Sequence, residues 1–226
     1  MKEGTDRERI ARLEERVAAL EDLLSRASTR LAILEDVEEI KKLQRIYGYY
    51  VDKALWQKVI DLFSDDCTIE ISGRGVYRGR RGAEIVFRRL VGQLICQDRE
   101  EGLSHGQLHN HFQLQGVVNV APDGRTARGR WRAFIQVAVL GKMAHWAEGP
   151  YEMEYTKQAG RWRISRLAWF PTYYTPFEAG WAKTGLPMPG PSQEFPPDLP
   201  PTWEYEAYPG TFVPPFHFPH PVTGEE

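Results

Sequence analysis

Two short stretches of this sequence carry the residue types that acid–base chemistry needs. The first is Tyr47-Gly48-Tyr49-Tyr50-Val51-Asp52, in which a phenol and a carboxylate stand five residues apart. Across the end of a helix, that spacing lets both side chains point into the space between the helix and whatever packs on it. Asp52 also has a plainer use, because Asp is a favoured N-cap for a helix that follows. The second stretch is Leu108-His109-Asn110-His111-Phe112-Gln113-Leu114-Gln115. Read as a strand, it puts His109, His111 and Gln113 on one face and Asn110, Phe112 and Leu114 on the other. A lone strand histidine is usually structural, whereas two on one face can form a metal pair. No Walker loop, no strand-to-helix G-x-G-x-x-G and no G-x-S-x-G elbow is present. Any chemistry must therefore come from side chains or from a metal.

These residues need elements to hold them. Helical spacing runs from Asp36 through Val37, Ile40, Leu43, Ile46 and Tyr47, and Asp52 interrupts it. A second helix is expected over Leu55–Phe63, stopped by Ser64-Asp65-Asp66, and a third over Ala83–Val91. Between them Cys67–Ile71 alternates as a strand, Gly73-Arg74-Gly75 turns, and Val76-Tyr77 returns. Four longer strands are expected at about 107–120, 126–140, 145–157 and 161–173, separated by Pro122-Asp123-Gly124, Gly141-Lys142 and Ala159-Gly160. Tyr151-Glu152-Met153-Glu154-Tyr155 alternates most clearly, with acids on one face and large apolar groups on the other. Helices first and consecutive antiparallel strands after them predict an α+β domain over residues 36–175.

The two ends differ from this middle. Over residues 1–35, Ile10, Leu13, Val17, Leu20, Leu24, Ala27, Leu31 and Leu34 keep a/d spacing through four heptads. Arg9, Arg16 and Arg30 fall at g, and Glu14, Glu21 and Glu35 at e. In a parallel pair each Arg would face the Glu five residues further along the partner. The segment predicts a homo-oligomer, with Ser25, Ser28 and Thr29 as a weak point where a break is expected. At the other end, thirteen of the sixteen prolines lie between Pro176 and Pro221, which excludes regular helix or strand. Nine aromatic residues, from Phe177 to Phe218, share that stretch. A disordered tail would be poor in aromatics, so residues 176–226 are expected to be an extended arm packed on a surface.

Composition narrows the function classes. The formal charge is −2, and the basic run Arg78, Arg80, Arg81 is short and followed by Glu84, so no nucleic acid is expected. No stretch approaches the eighteen apolar residues of a membrane span, and the N-terminus has no apolar signal region. Cys67 and Cys96 make neither a disulfide framework nor a metal knuckle, and a reducing cytoplasm is the expected location. Seven Trp, ten Tyr and ten Phe suggest a flat hydrophobic ligand or large interfaces.

The order Tyr47…Asp52…Trp56…Leu62-Phe63…Asp65-Asp66, then Tyr77-Arg78-Gly79, then His111…Gln115, then Gly160-Arg161-Trp162-Arg163-Ile164 resembles the SnoaL-like branch of the nuclear transport factor two-like superfamily. The resemblance covers about residues 36–175 and implies a cone: a strongly bent antiparallel sheet wrapped around three helices, enclosing a deep apolar cavity. It also implies site residues. The family's Asp–His dyad falls on Asp52 and His111, and the dehydratases' tyrosine on Tyr47. Gln115 stands where many members have Asn, and no counterpart is found for the arginine some members use. Asp52 would accept a hydrogen bond from one imidazole nitrogen of His111, fixing the tautomer and making the other nitrogen a better base. Tyr47 would protonate a departing hydroxyl. Tyr50, Trp56, His109, Gln115, Trp131 and Trp169 are the candidates to bind substrate, while His105 and His145 receive no role.

The resemblance therefore implies a lyase without cofactor or metal, acting by acid–base elimination on a small hydroxylated aromatic substrate. The C-terminal arm resembles the extension of the sphingomonad diarylpropane lyases, which release formaldehyde from lignin-derived dimers and leave a stilbene. Family members also commonly pair through the outer sheet face. Two other readings stand beside this one: a non-catalytic ligand-binding or assembly subunit of the dioxygenase small-subunit type, and a metal enzyme using His109 and His111.

Overall fold

The computed structural model describes residues 2–96 and 99–225. They form two compact units, the first ending at Glu38 and the second running from Glu39. The expected boundary at residue 35 lies within one helix, because α1 spans Lys2–Asp52 without interruption. No break forms at Ser25–Thr29. There the Thr29 hydroxyl donates to the Ser25 carbonyl four residues back at 3.0 Å, so it is satisfied without leaving the helix. Within the first unit the seam residues lie open, Leu20 at 61%, Leu24 at 70% and Leu34 at 62% exposure.

In the second unit the short helix α2 (Trp56–Ile60) follows a turn closed by Ala54 at positive φ. The helix expected over Leu55–Phe63 ends early because β1 (Phe63–Ile71) already begins there. Phe63 pairs with Ile164, and Ile164 N–H donates to the Leu62 carbonyl at 3.0 Å, so sheet pairing overrides the helical pattern. After β2 (Val76–Arg78) the chain is helical from Gly79 to Cys96. It runs as α3 (Gly79–Glu84), a π-helical segment (Ile85–Val91) and α4 (Gly92–Cys96), longer than the expected 83–91.

The remaining strands are β3 (Gln107–Val120), β4 (Thr126–Val139), β5 (Met143–Gln158), β6 (Arg161–Trp169) and β7 (Tyr173–Pro176). The expected strand over 161–173 is thus two. The chain leaves β6 after Trp169, and β7 returns along the start of β5, Glu148 opposite Tyr173 and His145 opposite Pro176. The seven strands form one sheet in the order β2-β1-β6-β5-β4-β3, with β7 beside β5. Every pairing is antiparallel except β1 with β6, which is parallel. Register shifts at Leu114/Val117 and Glu154/Tyr155 interrupt the long ladders and bend them. The result is the curved, open α+β sheet of a cone fold.

The concave face holds the core. Ile40, Tyr47 and Val51 of α1, Trp56, Val59 and Ile60 of α2, and Phe87 of the π-helical segment meet Ile135, Tyr151, Met153, Ile164 and Leu167 of the sheet. In Tyr151–Tyr155 the tyrosines and Met153 are buried while Glu152 and Glu154 are only partly covered, as the alternation predicts.

The arm packs on its own domain. Leu199 bridges to Val76 at the free side of β2, and Thr202 donates from both its N–H and its hydroxyl to the Glu70 carboxylate. Phe170, Tyr205 and Phe212 form an aromatic cluster, Tyr205 stacking on Phe212 at 4.4 Å between ring centroids. Further on, Arg130 lies over the Phe216 ring and donates to the Pro214 carbonyl.

Candidate active site

A cavity of about 360 Å³ opens between the last turn of α1 and the inner face of the sheet. Its apolar walls come from Val51, Trp56, Phe87, Val91, Ile135 and Trp169. Seven polar side chains interrupt them: Tyr47, Tyr151, Tyr174, His109, His111, His145 and Arg74. Among the described residues no carboxylate lines it.

The register explains this gathering. His109 pairs with Val137 and Val137 with His145, so three adjacent strands present His109, Val137 and His145 in one row on the concave face. The next row on that face is His111, Ile135 and Ala147. The two β3 imidazoles meet edge to face with ring centroids 4.8 Å apart. His109 Nδ1 lies 3.0 Å from the Val51 carbonyl oxygen. A carbonyl only accepts, so Nδ1 carries the proton and Nε2 is left as the lone-pair nitrogen. Burial pushes the His109 pKa down to about 4, so the ring is neutral at ordinary pH. His111 as a residue is half-buried, but its Nδ1 is fully enclosed and among the described residues has no hydrogen-bond partner. Burial, and then the neighbouring His109, hold its pKa well below the usual imidazole value.

Tyr47 is enclosed by aromatic rings, edge-on to Phe63, Phe87 and Tyr151. Its hydroxyl is 3.5 Å from that of Tyr151. Burial first, and then Tyr151, raise its pKa well above the ordinary phenol value, so it stays protonated and able to donate. Tyr151 is raised as well, again by burial.

Asp52 does not meet the His111 ring. Its Oδ1 accepts the main-chain N–H of His111 at 2.5 Å. The reason is topological. β3 is the outermost strand on this side, and the His111 main chain turns its free groups towards the end of α1. The Gln113 amide takes the other group, donating to the His111 carbonyl at 3.3 Å. Gly48 permits the approach, since a Cβ there would sit 2.9 Å from Gln113 and 3.2 Å from the His111 carbonyl oxygen. Nor does Asp52 cap a helix: it is the last residue of α1, and α2 is preceded by Leu55. Burial raises the Asp52 pKa, with the His111 N–H opposing.

Of the residues singled out from sequence, Tyr47, Trp56, His109, His111 and Trp169 line the cavity, whereas Asp52, Tyr50, Gln115 and Trp131 do not. Trp131 shares the inward face with Ile135 but lies two rungs further along β4, donating to the Tyr155 hydroxyl at 3.0 Å. That hydroxyl donates to Gln44, and Gln44 donates to Gln113, so Trp131 belongs to a buried polar chain behind the cavity. Gln115 has positive φ within the β3 register shift and is exposed. Tyr50 is half-buried with the Lys58 ammonium 5.5 Å from its ring centroid. Sequence reasoning missed Arg74, Tyr151, Tyr174 and His145. The signal for His145 was its register opposite Val137, which the Gly141-Lys142 turn dictates. Among the described residues no group of three or more His, Cys, Asp or Glu side chains is placed to hold a metal ion.

The solved structures this chain resembles share the architecture. One is a candidate scytalone dehydratase from Novosphingobium aromaticivorans, 15% identical over 72% of this chain and 96% of that one, with a TM-score of 0.55. Another is the hexachlorocyclohexane dehydrochlorinase LinA-type3 from Novosphingobium barchaimii, 21% identical over 71% and 99%, also at 0.55. A third, an NTF2-like protein with a cystatin-like fold from N. aromaticivorans, is 21% identical over 63% and 86%, at 0.50. No curated protein sequence gives a significant match. The model of the SnoaL-like domain matches residues 32–168, which takes in the later part of α1, the three cavity histidines and the sheet through Ala168 of β6. The chain belongs to the SnoaL-like domain family.

Proposed function

We propose that the cavity is the active site of a cofactor-independent lyase that carries out acid–base elimination on a hydroxylated aromatic substrate. The observation that carries the reading is the neutral His111 ring lining one aromatic-walled cavity with the protonated Tyr47 hydroxyl. A neutral imidazole can take a proton from substrate at Nε2, the nitrogen that is not enclosed, and a protonated phenol can give one to a leaving oxygen. His109, its tautomer set by Val51, presents a second acceptor beside the first. The dehydratase and dehydrochlorinase named among the structural relatives are both elimination enzymes by their names, which supports this reaction class.

The finer substrate reading is a lignin-type diarylpropane with a para-phenol. The phenol passes its proton to the second acceptor, His109, while the benzylic hydroxyl leaves as water after protonation by Tyr47, giving a quinone methide. His111 then removes the proton of the neighbouring hydroxymethyl group. The carbon–carbon bond breaks, formaldehyde departs, and the electron pair restores the aromatic ring as a stilbene. The aromatic walls of the cavity and the aromatic arm support a two-ring substrate.

The test is incubation of the purified protein with para-hydroxyaryl compounds bearing a benzylic hydroxyl, following loss of water or formaldehyde by mass spectrometry. H111A should lower kcat by about 10²–10⁴-fold and Y47F by a similar order, the usual cost of a positioned acid–base group. Near-wild-type turnover by H111A overturns the mechanism. Binding without turnover of any compound would make the cavity a ligand-binding site only.

A further inference from the structure

Arg74 sits where neither the family pattern nor the acid–base step has a use for it. It belongs to a one-turn 3₁₀ helix, Ser72–Arg74, between β1 and β2. Its side chain reaches the wall of the main cavity and of a second chamber of about 300 Å³. Leu94, Trp169 and Tyr174 stand with it in both walls, and Leu186–Pro189 of the arm close the far side of the second chamber. Among the described residues the guanidinium forms no salt bridge, and its recorded hydrogen bond is one from Nη1 to the Ile71 carbonyl at 3.3 Å. Among the described residues no acid lines either chamber. A guanidinium has five donors, and leaving one half-buried against apolar walls without an anion is unfavourable.

The turn that carries Arg74 is held in an unusual conformation from outside. Ser72 has φ of 62°, and its hydroxyl is 3.2 Å from the Met188 sulfur. Gly75 has φ of 89°, and a Cβ there would lie 2.7 Å from both Leu199 and Pro197. Strained backbone of this kind persists where the surroundings fix it, and here the surroundings are the arm.

We infer that Arg74 is a specificity-determining residue that binds the carboxylate of an aryl ligand extending from the main cavity into the arm-walled chamber. The planar fork of the guanidinium matches a carboxylate with two parallel hydrogen bonds. A simple phenol, with a pKa near 10, is neutral at ordinary pH and would not supply the missing charge. Resting on the lyase reading for its site, the assignment adds a substrate class to it: a hydroxyaryl compound that also carries a carboxylate.

Calorimetric titration with biphenyl-4-carboxylate and with its uncharged amide tests this without turnover. Wild type should bind the acid about 10- to 100-fold more tightly than the amide. R74M should lose that preference while its affinity for the amide stays within a few-fold, and R74K should keep part of it. H111A should keep all of it, so failure of the lyase mechanism leaves this result standing. Equal affinity of wild type for the two probes, or no binding of either, overturns the assignment, and so does an acid preference retained by R74M. Should R74M fail to fold, the wild-type ratio and R74K still decide the question.

Discussion

Because Asp52 reaches His111 through the main chain, substitutions at the two positions should separate. The amide oxygen of D52N can still accept the His111 N–H, so its kcat should stay within about 10-fold of wild type, while H111A falls much further. D52A leaves that N–H without its partner and should lower both kcat and stability, the latter by about 1–3 kcal/mol. Steady-state kinetics and thermal melts of the three variants check this. A D52N as impaired as H111A would mean that the carboxylate charge, not the hydrogen bond it accepts, is what the site needs. At this scale the sequence was legible where spacing within one element sufficed. Tyr47 faces inward from the end of a helix, and His109 and His111 share a strand face. It was not legible where contact depends on distant chain. Arg74 reads as a turn residue between two glycines until the arm and β7 are brought beside it. Trp131 has the right face of β4 but the wrong depth, which only the placement of Gln44 and Tyr155 decides.

Among the elements, the strand ends of β3 and β4 could be read almost to the residue, because Pro122-Asp123-Gly124 and Gly141-Lys142 mark turns by their own chemistry. The parallel pairing of β1 with β6 could not, since no local pattern encodes a partner about a hundred residues away. The early end of α2 has the same origin. α1 carries the expectation that remains for solution work. Its seam leucines are exposed in the single chain, and we propose that a second copy of this helix covers them in a parallel pair. Leu20→Lys puts a charge in the middle of that seam. Sedimentation should then show a smaller assembly than wild type, with unchanged circular dichroism from the core that begins at Ile40. An unchanged mass would remove the coiled coil.

For the molecule as a whole, the arm is a structural component and not a trailing tail. Phe212 is held between Phe170 of the domain and Tyr205 and Trp203 of the arm. Phe212→Ala should cost about 2 kcal/mol, less than a fully buried Phe because the ring is half-exposed. For a chain of this size that lowers Tm by roughly 4–8 °C, readable by calorimetry. A Tm shift near zero would mean the arm contributes little to the fold. At the margin formed by β2, Val76 gives its N–H to the Leu199 carbonyl, and its own carbonyl accepts from the N–H groups of Asp198 and Leu199. Pro196, Pro197, Pro200 and Pro201 flank those two residues and have no N–H to offer. A stray strand arriving at this margin therefore finds the ladder already ended by chain that cannot pass it on, which protects the native protein against seeding cross-β growth there.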